Sequence, residues 1–388
     1  MSAFPTKSLS SVCDISMGQA PKGGSYNTTR RGYPLIAGAG DFGELTPTPK
    51  KYTNAPTKLS SPGDLILCIR ATIGDLNWSD KEYCLGRGVA GLRAKDAVLS
   101  QAYLGHWLDH SAPVLRTKGR GATFLQVSKG DIASLQIPLP PLAEQKRIAR
   151  ILDAVDALRT KRREALAQLD ALLQSTFLDM FGDPVTNPMG WEVKWLKEML
   201  GEKCTNGAYY PKDAYSSVGT RMVHMANAFY GVVNPNEVKR VDAPLADIEK
   251  YGLLPTDILV SRRSLNYEGS AKPCLIPETD EPLIFESSLI RVRPDREIVL
   301  TIYLFHYLSN DRARAKYVFP LVTRSTISGI SQSNLMKVKV VLPPLDLQFR
   351  FTAVVESIER QKARQSTHLA ELDTLFASLQ SRAFRGDL

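Results

Sequence analysis

Two stretches of about forty residues carry apolar side chains at spacings of three and four. In the first, Ile148, Ile151, Leu152, Val155, Leu158, Ala165, Leu166, Leu169, Leu172 and Leu173 are separated by Arg, Lys, Glu and Gln. In the second, Phe351, Val354, Val355, Ile358, Leu369, Leu372, Leu375, Phe376 and Leu379 repeat the pattern. This period predicts coiled-coil helices. At 1.5 Å per residue each would run roughly 60 Å, and neither could bury its stripe alone, so the two are expected to pack on each other. Pro140-Pro141 and Pro343-Pro344 mark the starts, because proline is tolerated in a first helical turn and excluded from a helix interior. Glu144 suits the positive end of the first helix; the second has Leu347 there and Asp346 one position earlier.

Outside these stretches the pattern changes. Short apolar runs such as Asp64 to Ile69 and Asp257 to Ser261 lie between Pro and Gly turns and read as strands. Segments such as Gly38-Ala39-Gly40-Asp41-Phe42-Gly43 and Thr46-Pro47-Thr48-Pro49 punctuate them, which predicts β-rich domains with long loops. One helix is expected in each half, at Ser100 to Asp109 and Leu300 to Asn310, with His106 and His306 packed or partly exposed rather than ligating.

The chain is a duplication. Ile137-Pro138-Leu139-Pro140-Pro141-Leu142 returns as Val340-Val341-Leu342-Pro343-Pro344-Leu345, and Gln145/Gln348, Leu169/Leu372, Leu172/Leu375 and Phe181/Phe384 keep the same offset of 203. Upstream the offset drifts: 189 for Gly18/Gly207, 193 for Asp64/Asp257, 200 for Tyr103/Tyr303. A length-fixed helix after a domain of variable loops implies a common scaffold that carries recognition in its loops. The expected architecture is α+β, with β-rich mixed domains at residues 1–137 and 185–340 joined by long antiparallel helices at 138–184 and 341–388, related by a pseudo-twofold internal repeat. Arg162 and its equivalent Gln365 sit midway along the stripes and are expected to meet and fix the register.

Composition adds a charge argument. Lys and Arg number 49 against 40 Asp and Glu, and the excess favours a polyanionic partner. The five cysteines (Cys13, Cys68, Cys84, Cys204 and Cys274) form no Cys-x-x-Cys pair and read as reduced thiols of a cytoplasmic protein. Residues Met1 to Gly18 lack a signal-peptide core, and no apolar run is long enough to span a membrane. No phosphate loop, no Gly-x-Gly-x-x-Gly turn and no His-Glu-x-x-His helix is present. Nor is there an Asn-Pro-Pro-Tyr type motif; Asn187-Pro188-Met189-Gly190 is a turn-like near miss. The sequence thus offers no catalytic constellation and no metal site.

Leu139-Pro140-Pro141-Leu142-Ala143-Glu144-Gln145 with Ile148 and Ile151-Leu152, its copy Leu342 to Gln348, and the ending Ala383-Phe384-Arg385-Gly386-Asp387-Leu388 resemble the specificity subunit of type I restriction-modification enzymes. Gly121-Ala122-Thr123 to Val127-Ser128 with Asp131-Ile132, and Asp257 to Arg263, also resemble segments of that family's target-recognition domains. The second copy departs in lacking Glu beside Gln348. The resemblance implies a DNA-binding subunit without a catalytic site, whose two domains each read half of a split, asymmetric double-stranded site. It further implies two methyltransferase subunits bound along the helices and bringing S-adenosylmethionine, and motor-nuclease restriction subunits using ATP and Mg. Helices of fixed length would act as a ruler between the half-sites.

Basic residues on turn-rich segments are the candidate DNA contacts: Lys22, Arg70, Arg116, Lys118 and Arg120 in the first half, then Lys212, Arg262, Arg263, Arg291, Arg293 and Arg324. About half are expected to be ordinary surface. Arg70, and Arg262 with Arg263 at the matching place, are favoured because they follow strands; Arg120 with Thr123 and Arg324 with Ser325 are read as a second pair equivalent by the offset of 203. Tyr26, Tyr33, Tyr209 and Tyr210 could stack on bases but are left as packing residues. A coiled-coil adaptor without sequence-specific recognition is the alternative, and it leaves two basic, loop-variable domains without a task.

Overall fold

The computed structural model describes residues 4–121, 124–229 and 231–388. It divides into two compact units: Met1–Glu164 with Ser366–Leu388, and Ala165–Gln365. Each unit therefore holds one globular domain and half of each long helix, where the sequence pattern separated domains from helices.

In the first unit, strand Leu65–Cys68 is the centre of a four-stranded antiparallel sheet. Val89–Ala94 pairs with it on one side, with Leu65 opposite Leu92, and Leu76–Trp78 on the other; Cys13–Met17 completes the sheet. All four residues of the central strand are buried, because its two faces meet different cores. Leu65 and Leu67 face a core built with Leu104, Trp107 and the long helices, whereas Ile66 faces Ile36, Tyr83 and Leu85. That explains the continuous apolar run in place of an alternating one. A smaller sheet of Tyr26–Asn27, Lys51–Thr53, Tyr33–Ile36 and Cys84–Leu85 includes one parallel pair, Leu35 opposite Cys84. The domain helix spans Gln101–Thr117, longer than its sequence pattern predicts and running through Pro113.

The second unit repeats this plan. Ile258–Ser261 is central, flanked by Leu289–Pro294 and Pro273–Leu275, with Leu200–Asn206 at the edge. Its smaller sheet again has one parallel pair, Met222 opposite Ile284. The first step of the drift, from 189 to 193, falls where the second unit forms a helix, Leu245–Tyr251, between the corresponding strands of the smaller and larger sheets and the described residues of the first unit form none. The helix Thr301–Ser309 lies close to its expected range.

Glycines identify equivalent points of close backbone approach. A Cβ on Gly18 would stand 2.1 Å from the Gly86 carbonyl oxygen, and one on Gly207 would stand 2.1 Å from that of Phe285. Asp64 and Asp257 are equivalent too. Each caps a turn by accepting from the Ser61 or Leu254 backbone N–H, and each pairs with an arginine, Arg93 at 2.6 Å or Arg293 at 2.7 Å.

The long helices span Leu142–Phe181 and Leu345–Arg385, each starting directly after its Pro-Pro pair. Within each unit they run antiparallel. In the first, Ile148, Leu152 and Val155 of one helix share a core with Phe376, Ala383 and Phe384 of the other; in the second, Leu173, Phe177 and Phe181 meet Phe351, Val355 and Ile358. Phe384 packs against Tyr103 and Phe181 against Tyr303, so each domain grips the start of its own helix and the end of the other. Leu158, Leu172, Val354 and Leu375 of the predicted stripes remain exposed, since a two-helix layer cannot cover the full stripe away from the domains.

Candidate nucleic-acid interface

Loops at one edge of each domain are tied together by short backbone pairings. In the first unit Gln126 bridges to Arg70 and to Arg120. The Arg120 N–H donates to the Gln126 carbonyl at 3.0 Å and the Gln126 N–H returns to Arg120 at 2.9 Å. On the other side Ala71 donates to Leu125 and Val127 to Ile69, both at 3.0 Å, which fixes Arg70 from before and after. Ala71 adopts a positive φ of 63°, a conformation that costs a non-glycine residue energy and is held here by its neighbours. Two of the arginines singled out from sequence are thus brought together through Gln126, which was not itself among the candidate contacts.

Arg70 is exposed, and its guanidinium lies 5.4 Å from the centre of the Phe124 ring. Arg120 is exposed and 3.8 Å from Asp131, whose carboxyl is held below the usual carboxylate range by hydrogen bonds from Ser128. Lys22 is exposed just before the short helical turn Gly23–Ser25. Thr123 lies outside the described residues.

In the second unit, Arg263–Ser264 pairs with Ser328–Gly329, Arg263 opposite Gly329, and Thr323 also bridges Gly329. This is the arrangement of Arg70, Gln126 and Arg120, and it corrects one equivalence read from sequence. The counterpart of Arg120 is Thr323; Arg324 corresponds to Gly121. The offset of 203 itself places Thr323 at the position of Arg120 and Thr326 at that of Thr123, so Arg324 and Ser325 each lie one residue away from the equivalent positions. Arg324 instead lies 4.0 Å over the Tyr267 ring, and the Ser325 hydroxyl donates to the Ile327 carbonyl. Arg263 is exposed, while Arg262 is partly covered, its guanidinium 3.4 Å from the Ser287 carbonyl.

Other arginines that composition made candidates serve the fold. Arg116 donates to the Ile73 carbonyl and faces Asp75; Arg291 is buried against the Gly252 carbonyl and Glu202; Arg293 joins Asp257 and Glu202. Tyr210 donates to Asp247, whereas Tyr209 is 82% exposed, so the tyrosines divide in the same way. All five cysteines are buried and unpaired, and burial pushes Cys13 and Cys274 up to about 12. Among the described residues no group of His, Cys, Asp and Glu could hold a metal ion, and no helix is long and apolar enough to cross a membrane.

Ion pairs that the sequence did not reveal join the two helices within each unit. Arg159 meets Asp373 at 2.6 Å and Asp156 at 2.6 Å within the first unit; Lys362 meets Asp170 at 2.9 Å and Glu359 at 2.8 Å within the second. Arg162, expected at the register point, belongs to the first unit and Gln365 to the second.

Two copies of one β-rich domain, each with arginines on a turn-rich edge and each followed by a helix of 40 or 41 residues, define a duplicated presenting scaffold. A profile described as "Type I restriction modification DNA specificity domain" matches residues 1–168 and again 188–372, and the chain belongs to that family. Over 156 residues, 40% of this chain and 37% of the relative, it is 37% identical to the "Putative type I restriction enzyme MjaX specificity subunit" of Methanocaldococcus jannaschii. Over 375 residues, 90% of this chain and 79% of the relative, it is 22% identical to the type I restriction enzyme EcoKI specificity subunit of Escherichia coli strain K12. The fold is shared with the S subunit of a type I restriction-modification system from M. genitalium, at a TM-score of 0.57 and 15% identity over 98% of this chain and 96% of that one.

Proposed function

We propose that this chain is the non-catalytic DNA-specificity subunit of a type I restriction-modification complex and that its two domains each read one half of a bipartite, asymmetric double-stranded site. The observation that carries the reading is the duplicated exposed edge, Arg70–Gln126–Arg120 and Arg263–Gly329–Thr323, on one scaffold repeated twice. Phosphate contacts position such a protein on DNA and base-edge contacts supply sequence choice, and arginine does both. Lys22, Arg70, Arg120, Thr123, Arg262, Arg263, Arg324 and Ser325 remain the proposed DNA contacts, and Arg162 with Gln365 the proposed register point of the helices.

Two methyltransferase subunits would bring S-adenosylmethionine, and restriction subunits would bring ATP and Mg-dependent motor and nuclease activity, in the cytoplasm. Relatives named as specificity subunits support this assignment, and the many side chains of the long helices that stay exposed leave surface for such partners. Co-expression of the chain with the methyltransferase of its own system tests the reading. A stable complex should form and methylate one bipartite sequence, while the chain alone with S-adenosylmethionine and DNA transfers nothing. Methylation by the methyltransferase alone at the same sites would overturn it.

A further inference from the structure

We propose that the first unit reads a guanine in its half of the target, with Arg70 as the reading residue; this rests on the specificity-subunit reading above. Arg70 borders a cleft of about 490 Å³, within the ordinary size of a ligand cleft. Two cations, Arg70 and Arg87, line it with two aromatic rings, Phe124 and Tyr26. No carboxylate or carboxamide side chain lines it among the described residues. Its charged side chains therefore offer only donors. Guanine shows two acceptors, O6 and N7, on its major-groove edge, spaced for the two-pronged guanidinium; cytosine shows an amine donor there and adenine a mixed edge, and neither finds a side-chain carboxylate or amide here.

Arg70 is poised for that task. Its guanidinium has no ion pair and no hydrogen bond to the described residues, its backbone is pinned on both sides, and the Phe124 ring restrains the planar fork. Arg87 stands between Gly86 and Gly88, whose backbones pack closely against Ile36 and Ala37, so its side chain is left at the surface beside the same cleft.

The internal repeat separates scaffold from reader. Scaffold positions are retained: Gly18/Gly207, Asp64/Asp257, Arg93/Arg293, Gln145/Gln348. At the cleft only one cation is retained, as Arg263; Arg87 becomes Ser287 and Phe124 becomes Ile327. Loss of the ring that holds the fork and of the second cation makes the guanine reading a property of the first unit.

The complex with its methyltransferase, expressed in a host without other DNA methylation, provides the test by single-molecule sequencing of modified bases. The wild-type motif should contain a G·C pair in the first unit's half, and Arg70→Ala should lose the requirement for that one pair while the other half of the motif stays unchanged. Affinity for the wild-type site should drop roughly 5- to 150-fold, as expected for one two-pronged base contact. Arg70→Lys keeps the charge and should keep affinity for non-specific DNA while relaxing the same position. A motif unchanged in Arg70→Ala, or relaxed in the other half, overturns the guanine assignment and leaves the bipartite reading standing. Absence of any bipartite motif in the wild-type complex overturns both.

Discussion

The Arg159 guanidinium donates to the Asp373 carboxylate at 2.6 Å, joining residues 214 positions apart. Its repeat equivalent is Lys362 with Asp170, and each cation is also held by the acid three residues earlier, Asp156 or Glu359. Partly exposed pairs of this kind contribute modestly. Asp373→Ala should cost about 0.5 to 1 kcal/mol, because Asp156 still partners Arg159. Asp373→Arg should cost more, and Arg159→Asp with Asp373→Arg should recover part of the loss; a double-mutant cycle by urea unfolding reads the coupling.

Gln145 and Gln348 lock each long helix to its domain. Gln145 is fully buried; it accepts from the Ser100 N–H at 2.8 Å and donates to the Val98 and Pro140 carbonyls at 3.0 and 2.9 Å. Gln348 accepts from Leu300 and donates to Pro343, both at 2.8 Å. Gln145→Leu strands buried backbone groups and should destabilise by roughly 2 to 4 kcal/mol in chemical unfolding. Gln145→Glu turns an acceptor toward two carbonyls, so it should be at least as damaging at neutral pH and partly relieved in acid.

Gly18→Ala and Gly207→Ala each force a Cβ to within 2.1 Å of a backbone carbonyl oxygen. Neither neighbour is a flexible side chain, so the backbone must move. A loss on the order of 3 kcal/mol or more is expected from overpacking, visible as a lowered thermal midpoint. Gly24→Ala, where a Cβ meets nothing, is the matched control and should leave the midpoint within a degree or two.

His306 should make the second unit acid-sensitive. Burial, with a smaller contribution from the Lys362 ammonium, lowers its imidazole from 6.5 to about 4, and the ring packs edge-on to Phe351. As pH falls from about 6.5 to about 4, the unfolded chain takes up a proton that the folded chain refuses, so stability present above that window is lost within it. At about 1.4 kcal/mol per tenfold change in proton affinity, the loss is on the order of 3 kcal/mol. Unfolding free energies at pH 7 and pH 4.5 should fall further in the wild type than in His306→Gln.

Much of the fold was legible in the sequence because it rests on periodicity. The two helices announced themselves by apolar spacing and Pro-Pro starts, and the central strands Leu65–Cys68 and Ile258–Ser261 by short apolar runs. The candidate edge was only partly legible. Arg70 and Arg263 could be marked because they follow strands, but nothing in the local sequence marks Gln126, Phe124 or Arg87 as neighbours of Arg70. Their proximity to Arg70 comes from bridges between loops. Spacing also could not show that Arg291 and Arg293 serve the sheet, since their partner Glu202 lies 89 and 91 residues away.

By itself the sequence determined the duplication, the two long helices and the family, because each is a pattern repeated along the chain at a constant or slowly drifting offset. Only the tertiary structure decided the helix register and the composition of each exposed edge. Both depend on contacts between residues far apart in the chain, and a one-dimensional pattern encodes which side chains seek burial or a counter-charge without stating which distant partner supplies it.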